Sequence, residues 1–178
     1  DQLARGAAGS IGPSTPLLEL GFRGAARLLS AASGARLAVL STTGWDTHNA
    51  QGTMSGQIAN RLASLDAALG AFRQEMPASV WNQTIVVCVT EFGRSVLING
   101  TNGTDHGVGM PVILLGGAVN GGIHGDWPGL RRADLLQGRD LRPTVDLRSV
   151  FKGILRDHLG AAPHLLNNIV FPGTIRFA

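Results

Sequence analysis

The segment 55–76 constrains this chain most. Its apolar residues Ile58, Leu62, Leu65, Leu69, Phe72 and Met76 recur at alternating spacings of four and three, and Pro77 follows them. That period predicts a helix with one apolar face, stopped where proline removes a backbone donor and clashes with the preceding turn. Residues 84–90 then run almost continuously apolar through Ile85, Val86, Val87, Cys88 and Val89. A strand of that kind has no water-facing side, so helices must cover the sheet on both faces.

The rest of the chain fits the same alternation. A broad apolar face through Leu17, Leu18, Leu20, Phe22, Ala25, Leu28 and Leu29 predicts a helix over 17–32, ended by Gly34. Short apolar runs at 36–41 and 112–115 predict strands. Thr144 or Asp146 is positioned to cap a last helix whose face is Leu147, Val150, Phe151, Ile154, Leu155 and Leu159, closed by Gly160, with 171–173 as docked coil. The expectation is a single α/β domain over residues 1–178, with a mostly parallel sheet and helices on both faces. The chain opens on Asp1 rather than methionine, so it is expected to be the C-terminal part of a larger domain.

Charge looks more informative than it is. The sequence pI is about 10.4, yet the net charge is only +3, and a high pI built on few acids is not a basic patch. The densest stretch, 131–148, carries five arginines interleaved with Asp134, Asp140 and Asp146 and has no aromatic platform, which disfavours nucleic acid as a partner. No apolar run reaches the length of a membrane span, and no leader opens these residues. Cys88 lies inside an apolar run and reads as an inert buried thiol.

Chemistry concentrates at the predicted strand ends. In Asp46-Thr47-His48 the carboxyl and imidazole are two residues apart, so extended backbone projects both to one side. A hard oxygen beside a borderline nitrogen suits zinc, manganese or iron. The other reading is that Asp46 caps a turn and His48 hydrogen-bonds locally. Asp105-His106 places a second such pair in the glycine-rich stretch 99–109, where small neighbours let both side chains face one point. Glu91, after an apolar strand, needs a metal, a ligand-bearing histidine or Arg94 as partner if it is buried. The guanidinium fork of Arg94 matches phosphate or sulfate, although an ion pair with a nearby glutamate is the commoner use. His124 sits in another glycine-flanked turn and is a further candidate ligand, while His158 and His164 read as structural. No nucleophile elbow occurs around any serine, and the sequons at Asn82, Asn99 and Asn102 match only a very common pattern.

Taken in order, Gly44-Trp45-Asp46-Thr47-His48, Thr90-Glu91-Phe92-Gly93-Arg94, Gly103-Thr104-Asp105-His106-Gly107 and Gly116-Gly117-Ala118-Val119 with Trp127-Pro128-Gly129 resemble the DUF1501 family. That family looks like a branch of the alkaline phosphatase and sulfatase superfamily. The resemblance implies an alkaline phosphatase-like fold and a metal-dependent hydrolase acting on a small anionic phosphate or sulfate ester. It implies one or two divalent ions, zinc or manganese, with Asp46 and His48 on one metal, joined by His124, and Asp105 and His106 on the other. Glu91 and Arg94 would support catalysis, the nucleophile would lie upstream of these residues, and the parent would be periplasmic or secreted. The alternative is a non-catalytic binding or structural domain with a degenerate site.

Overall fold

The computed structural model describes residues 10–11 and 15–175. They fall into two compact units. Unit 1 comprises residues 15–91, 97–106 and 111–121 together with 10–11; unit 2 comprises 92–96, 107–110 and 122–175.

Unit 1 is organised by two helices, α1 (Thr15–Ser30) and α2 (Gln57–Glu75). Leu18, Phe22, Ala25 and Ala26 of α1 pack with Ala68 and Phe72 of α2, and with Met76 just beyond it, in the buried core. Phe22 and Phe72 meet edge to face, ring centroids 6.2 Å apart, the geometry that the aromatic quadrupole favours. Arg23 bonds Glu19 at 2.9 Å and Glu75 at 3.3 Å, and Arg27 reaches Glu75 at 2.7 Å. The Arg27 hydrogen bond, with help from Arg23, holds the Glu75 carboxyl below its ordinary range. This clasp therefore contributes above the unfolded-state pKa of Glu75 and is lost as pH falls through the lowered folded value.

The apolar stripe expected along α2 is buried only in its second half. Phe72 and Met76 are enclosed and Leu65 and Leu69 are half-buried, but Leu62 is 52 % exposed. Ala68 and Ala71 take the closest positions instead, because small side chains let the helix approach its neighbours.

The expected parallel sheet is not there. Among the described residues the strands form three separate pairs: β1 (Ser10–Ile11) with β2 (Ser41–Thr42), β3 (Val86–Cys88) with β6 (Ile113–Leu115), and β4 (Gly93–Arg94) with β5 (His106–Gly107). The first pair is parallel but only two residues long. The longest is antiparallel, with Val86 opposite Leu115, Val87 opposite Leu114 and Cys88 opposite Ile113. The run 36–41 leaves Leu37 and Val39 exposed, and only Leu40 packs against the helical core. The β3 residues are half-buried rather than covered on both faces. The physical reason is legible in the connection: a parallel pair needs a crossover, usually helical, whereas no helix intervenes between β3 and β6. An α3 turn (Ala78–Trp81) precedes β3, and the chain is mixed helix and short strand rather than a doubly covered α/β sheet.

In unit 2, α4 (Leu147–Asp157) starts at Asp146, whose carboxylate accepts from the Arg148 amide at 2.9 Å. Gly160 follows with φ +68°, a left-handed position that suits glycine. The most deeply buried positions of α4 are Ser149, Lys152 and Gly153, while Leu147, Val150, Phe151, Ile154 and Leu155 are half-buried. A short α5 (Pro163–Leu165) and a π-helical turn, Leu166–Val170, precede the tail. No helix among the described residues is long and apolar enough to cross a membrane.

Truncating Phe72 to alanine is expected to remove about 3–5 kcal/mol of stability in urea unfolding, while Leu62→Ala costs about 0.5 kcal/mol or less. Equal losses would contradict this assignment of the α1–α2 core.

Candidate metal site

Four of the residues singled out in the sequence converge within unit 1. Asp46, Thr47 and His48 follow β2 on irregular backbone closed by two consecutive i to i+2 bonds, Thr47 N to Trp45 O at 3.0 Å and His48 N to Asp46 O at 3.2 Å. The Trp45 indole N–H donates to Thr42 Oγ1 at 2.7 Å and ties the segment to the strand it leaves. Gly44 takes φ +91°, a left-handed position that favours glycine.

The loop carrying Asp105 and His106 is built by Asn99. Its Oδ1 accepts from the amides of Thr101 and Gly103, each at 3.0 Å, an Asx-type turn. Its Nδ2 donates to the His48 carbonyl at 3.0 Å and to Asp105 Oδ1 at 2.9 Å. The Thr101 hydroxyl lies 2.7 Å from the His48 carbonyl as well. Backbone bonds from Ala50 N to Thr101 O (3.0 Å) and from Gln51 N to Asn102 O (2.9 Å) complete the docking. Beneath it, the buried hydroxyls of Thr47 and Thr104 both donate to Gln51 Oε1 at 2.7 Å. Gly103 lies so close to the His48 carbonyl that a Cβ would collide with it. Ala50 (φ +46°) and Asn102 (φ +57°) are held left-handed, and for Ala50 that is strain the surrounding bonds must sustain.

The result is a compact cluster. Asp46 Oδ1 stands 3.0 Å from His48 Nε2 and 2.9 Å from His106 Nε2, and His48 Nδ1 stands 3.1 Å from Asp105 Oδ1. The two imidazoles are tilted with centroids 4.9 Å apart. The four side chains are between 46 % and 52 % exposed. One donor atom each from Asp46, His48 and His106 falls within 4.8 Å of the others, a group able to hold a metal ion. Ligand atoms around a tetrahedral zinc with bonds of about 2.0–2.1 Å stand roughly 3.3 Å apart, so the observed spacings differ from a zinc shell by only a few tenths of an ångström at Asp46. Zinc or manganese fits this donor set.

The hydrogen count sharpens the chemistry. His48 presents each ring nitrogen to a carboxylate oxygen, and a neutral imidazole has one N–H to give. A cation at Nε2 with Nδ1–H donated to Asp105 satisfies both nitrogens, and it is the arrangement by which a carboxylate orients a metal-binding histidine.

The remaining candidates are Glu91, Arg94 and His124. Glu91 is exposed and has no hydrogen bond or ion pair among the described residues, so the burial that would demand a partner is not present. Arg94 and His124 belong to unit 2; the Arg94 guanidinium lies 5.7 Å from the Phe92 ring centroid and His124 is exposed. Burial pushes the Cys88 thiol pKa up, away from nucleophilic use. Sequence reasoning missed Asn99, Thr101 and Gln51 as the framework of the cluster. The signal was available at Asn99, since asparagine before a glycine-rich stretch is a turn-former as well as part of a sequon.

Replacing Asn99 by alanine is expected to speed amide hydrogen exchange at Thr101 and Gly103 and to cost about 1–3 kcal/mol. Unchanged exchange at both amides would show that Asn99 does not hold the loop.

No curated protein and no solved structure matches the chain. The model of the DUF1501 family, described as a protein of unknown function, matches residues 22–170. That match spans most of the sequence and both histidine motifs, and the chain belongs to the DUF1501 family.

Proposed function

We propose that Asp46, His48 and His106 hold one divalent cation, zinc or manganese, and that this centre serves hydrolysis of small phosphate or sulfate esters. The observation that carries the reading is Asp46 Oδ1 between two Nε2 atoms at 3.0 and 2.9 Å, with a second carboxylate, Asp105, on the far nitrogen of His48. The ester class comes from the family resemblance. A bound cation supplies Lewis acidity toward an ester oxygen and neutralises charge developing on it.

The residues themselves have separable tasks. Asp46 brings negative charge to a site otherwise made of neutral donors. Asp105 fixes the ring plane and tautomer of His48 by accepting Nδ1–H, and Asn99 fixes Asp105 in turn. On this reading Asp105 supports His48 from its far nitrogen, and the resemblance implies a ligand role for it on a second ion. The Thr47 and Thr104 hydroxyls are committed to Gln51, so they serve the framework rather than attack. The half-exposed setting of the cluster gives an anionic ester direct approach. The same openness also suits a second reading, in which the domain binds metal without turnover.

Elemental analysis of protein purified without chelator or affinity tag is expected to find near-stoichiometric zinc or manganese. His48→Ala and His106→Ala should each lower it far below one ion per chain, with zinc held only when supplied in excess, whereas Asp105→Ala should weaken affinity about 10–100-fold. Turnover of p-nitrophenyl phosphate or p-nitrophenyl sulfate by the loaded protein would support the hydrolase. Metal without turnover of either would support the binding domain, and no metal after reconstitution would overturn both.

A further inference from the structure

The chain has one lysine, Lys152, against fourteen arginines. It lies in the middle of α4, and it is 6 % exposed. Its ammonium donates to the Thr174 carbonyl oxygen and lies 3.5 Å from Thr174 Oγ1. Both partners are neutral, and no carboxylate among the described residues pairs with it. An ammonium has three donors, and burying one without a counter-charge is unfavourable. Three arginines of unit 2, Arg131, Arg139 and Arg148, each meet an aspartate at 2.7–2.9 Å.

The side chain lines a cleft of about 300 Å³ formed wholly by unit 2. Arg156, one helical turn further along α4, faces the same space. Its contact with exposed Asp157 is long, at 3.7 Å, and leaves guanidinium donors available. Pro163, Leu166 and Ile175 supply apolar wall and Asn167 an amide. Two cations, one helical turn apart, in the wall of a small cleft with apolar lining are complementary to an anionic head carrying a compact hydrocarbon group.

We propose that this cleft binds a small organic anion, its carboxylate or phosphate head between Lys152 and Arg156 and its apolar portion against Pro163, Leu166 and Ile175. The site shares no residue with the histidine cluster and does not depend on the reading of that cluster. Lysine suits the inner position because a compact ammonium on a flexible stem can reach a single acceptor in a narrow space, where the planar fork of arginine needs a wider approach.

The test is titration of the full chain with hexanoate, hexyl phosphate and neutral hexanamide, read by amide chemical shifts. Saturable shifts at residues 163–167 and 174–175 are expected with at least one anion, with hexanamide at least tenfold weaker. The tighter of the two anions identifies the head group. Lys152→Met and Arg156→Gln should each weaken binding at least tenfold, and the solvent-exposed Arg156 carries the test if the lysine variant does not fold. Equal binding of hexanamide, binding unchanged in Arg156→Gln, or no saturable shift with either anion would overturn the proposal.

Discussion

The candidate site depends on one act of docking, the seating of loop 99–104 on the backbone of residues 47–51. Asp46 and Asp105 are far apart in sequence, and neither pair of ligand-type residues makes a site alone. Asn99 joins them by satisfying the loop's own amides with one atom and reaching the His48 carbonyl and the Asp105 carboxylate with another. Gln51 does the same from the buried side, accepting from a threonine in each motif. Every one of these bonds uses a short polar side chain or a glycine, because a larger residue at Gly103 would separate the two strands of the arrangement.

That framework gives a cluster whose chemistry is set by proximity more than by burial. Half-exposed carboxylates and imidazoles are solvated, so the preference for a cation comes from donor convergence and from the hydrogen count at His48. The buried threonine–glutamine layer beneath provides the rigidity that the exposed ligands lack. Elsewhere Arg131, Arg139 and Arg148 each lie beside an aspartate, whereas Lys152 is buried against neutral oxygens of Thr174.

Much of the helical content was legible because it rests on local signals: the apolar period and Pro77 for α2, and Asp146 for the start of α4. The sheet was not, because a continuous apolar run states that a strand is enclosed without stating by what or in which direction. The absence of a helical pattern between Val86 and Leu115 was the available evidence for antiparallel pairing, and it outweighs the alternation that suggested a parallel sheet. On α4 the apolar face is half-buried, and Ser149, Lys152 and Gly153 are the more deeply enclosed positions. Periodicity identifies a helix face but not the neighbour that covers it. At the site, spacing in Asp46-Thr47-His48 and adjacency in Asp105-His106 singled out side chains that the structure brings together. The residues that hold them together were hidden in a glycine-rich loop whose hydrogen bonds have no period.

The central claim is that His48 and His106 present their Nε2 atoms, with Asp46, to one ion. X-ray absorption at the zinc edge of the zinc-loaded protein measures this directly. The account predicts a first shell containing two imidazole nitrogens at about 2.0–2.1 Å, reduced to one in His106→Ala. A shell of oxygen alone, or an imidazole signature unaltered by that substitution, would contradict it.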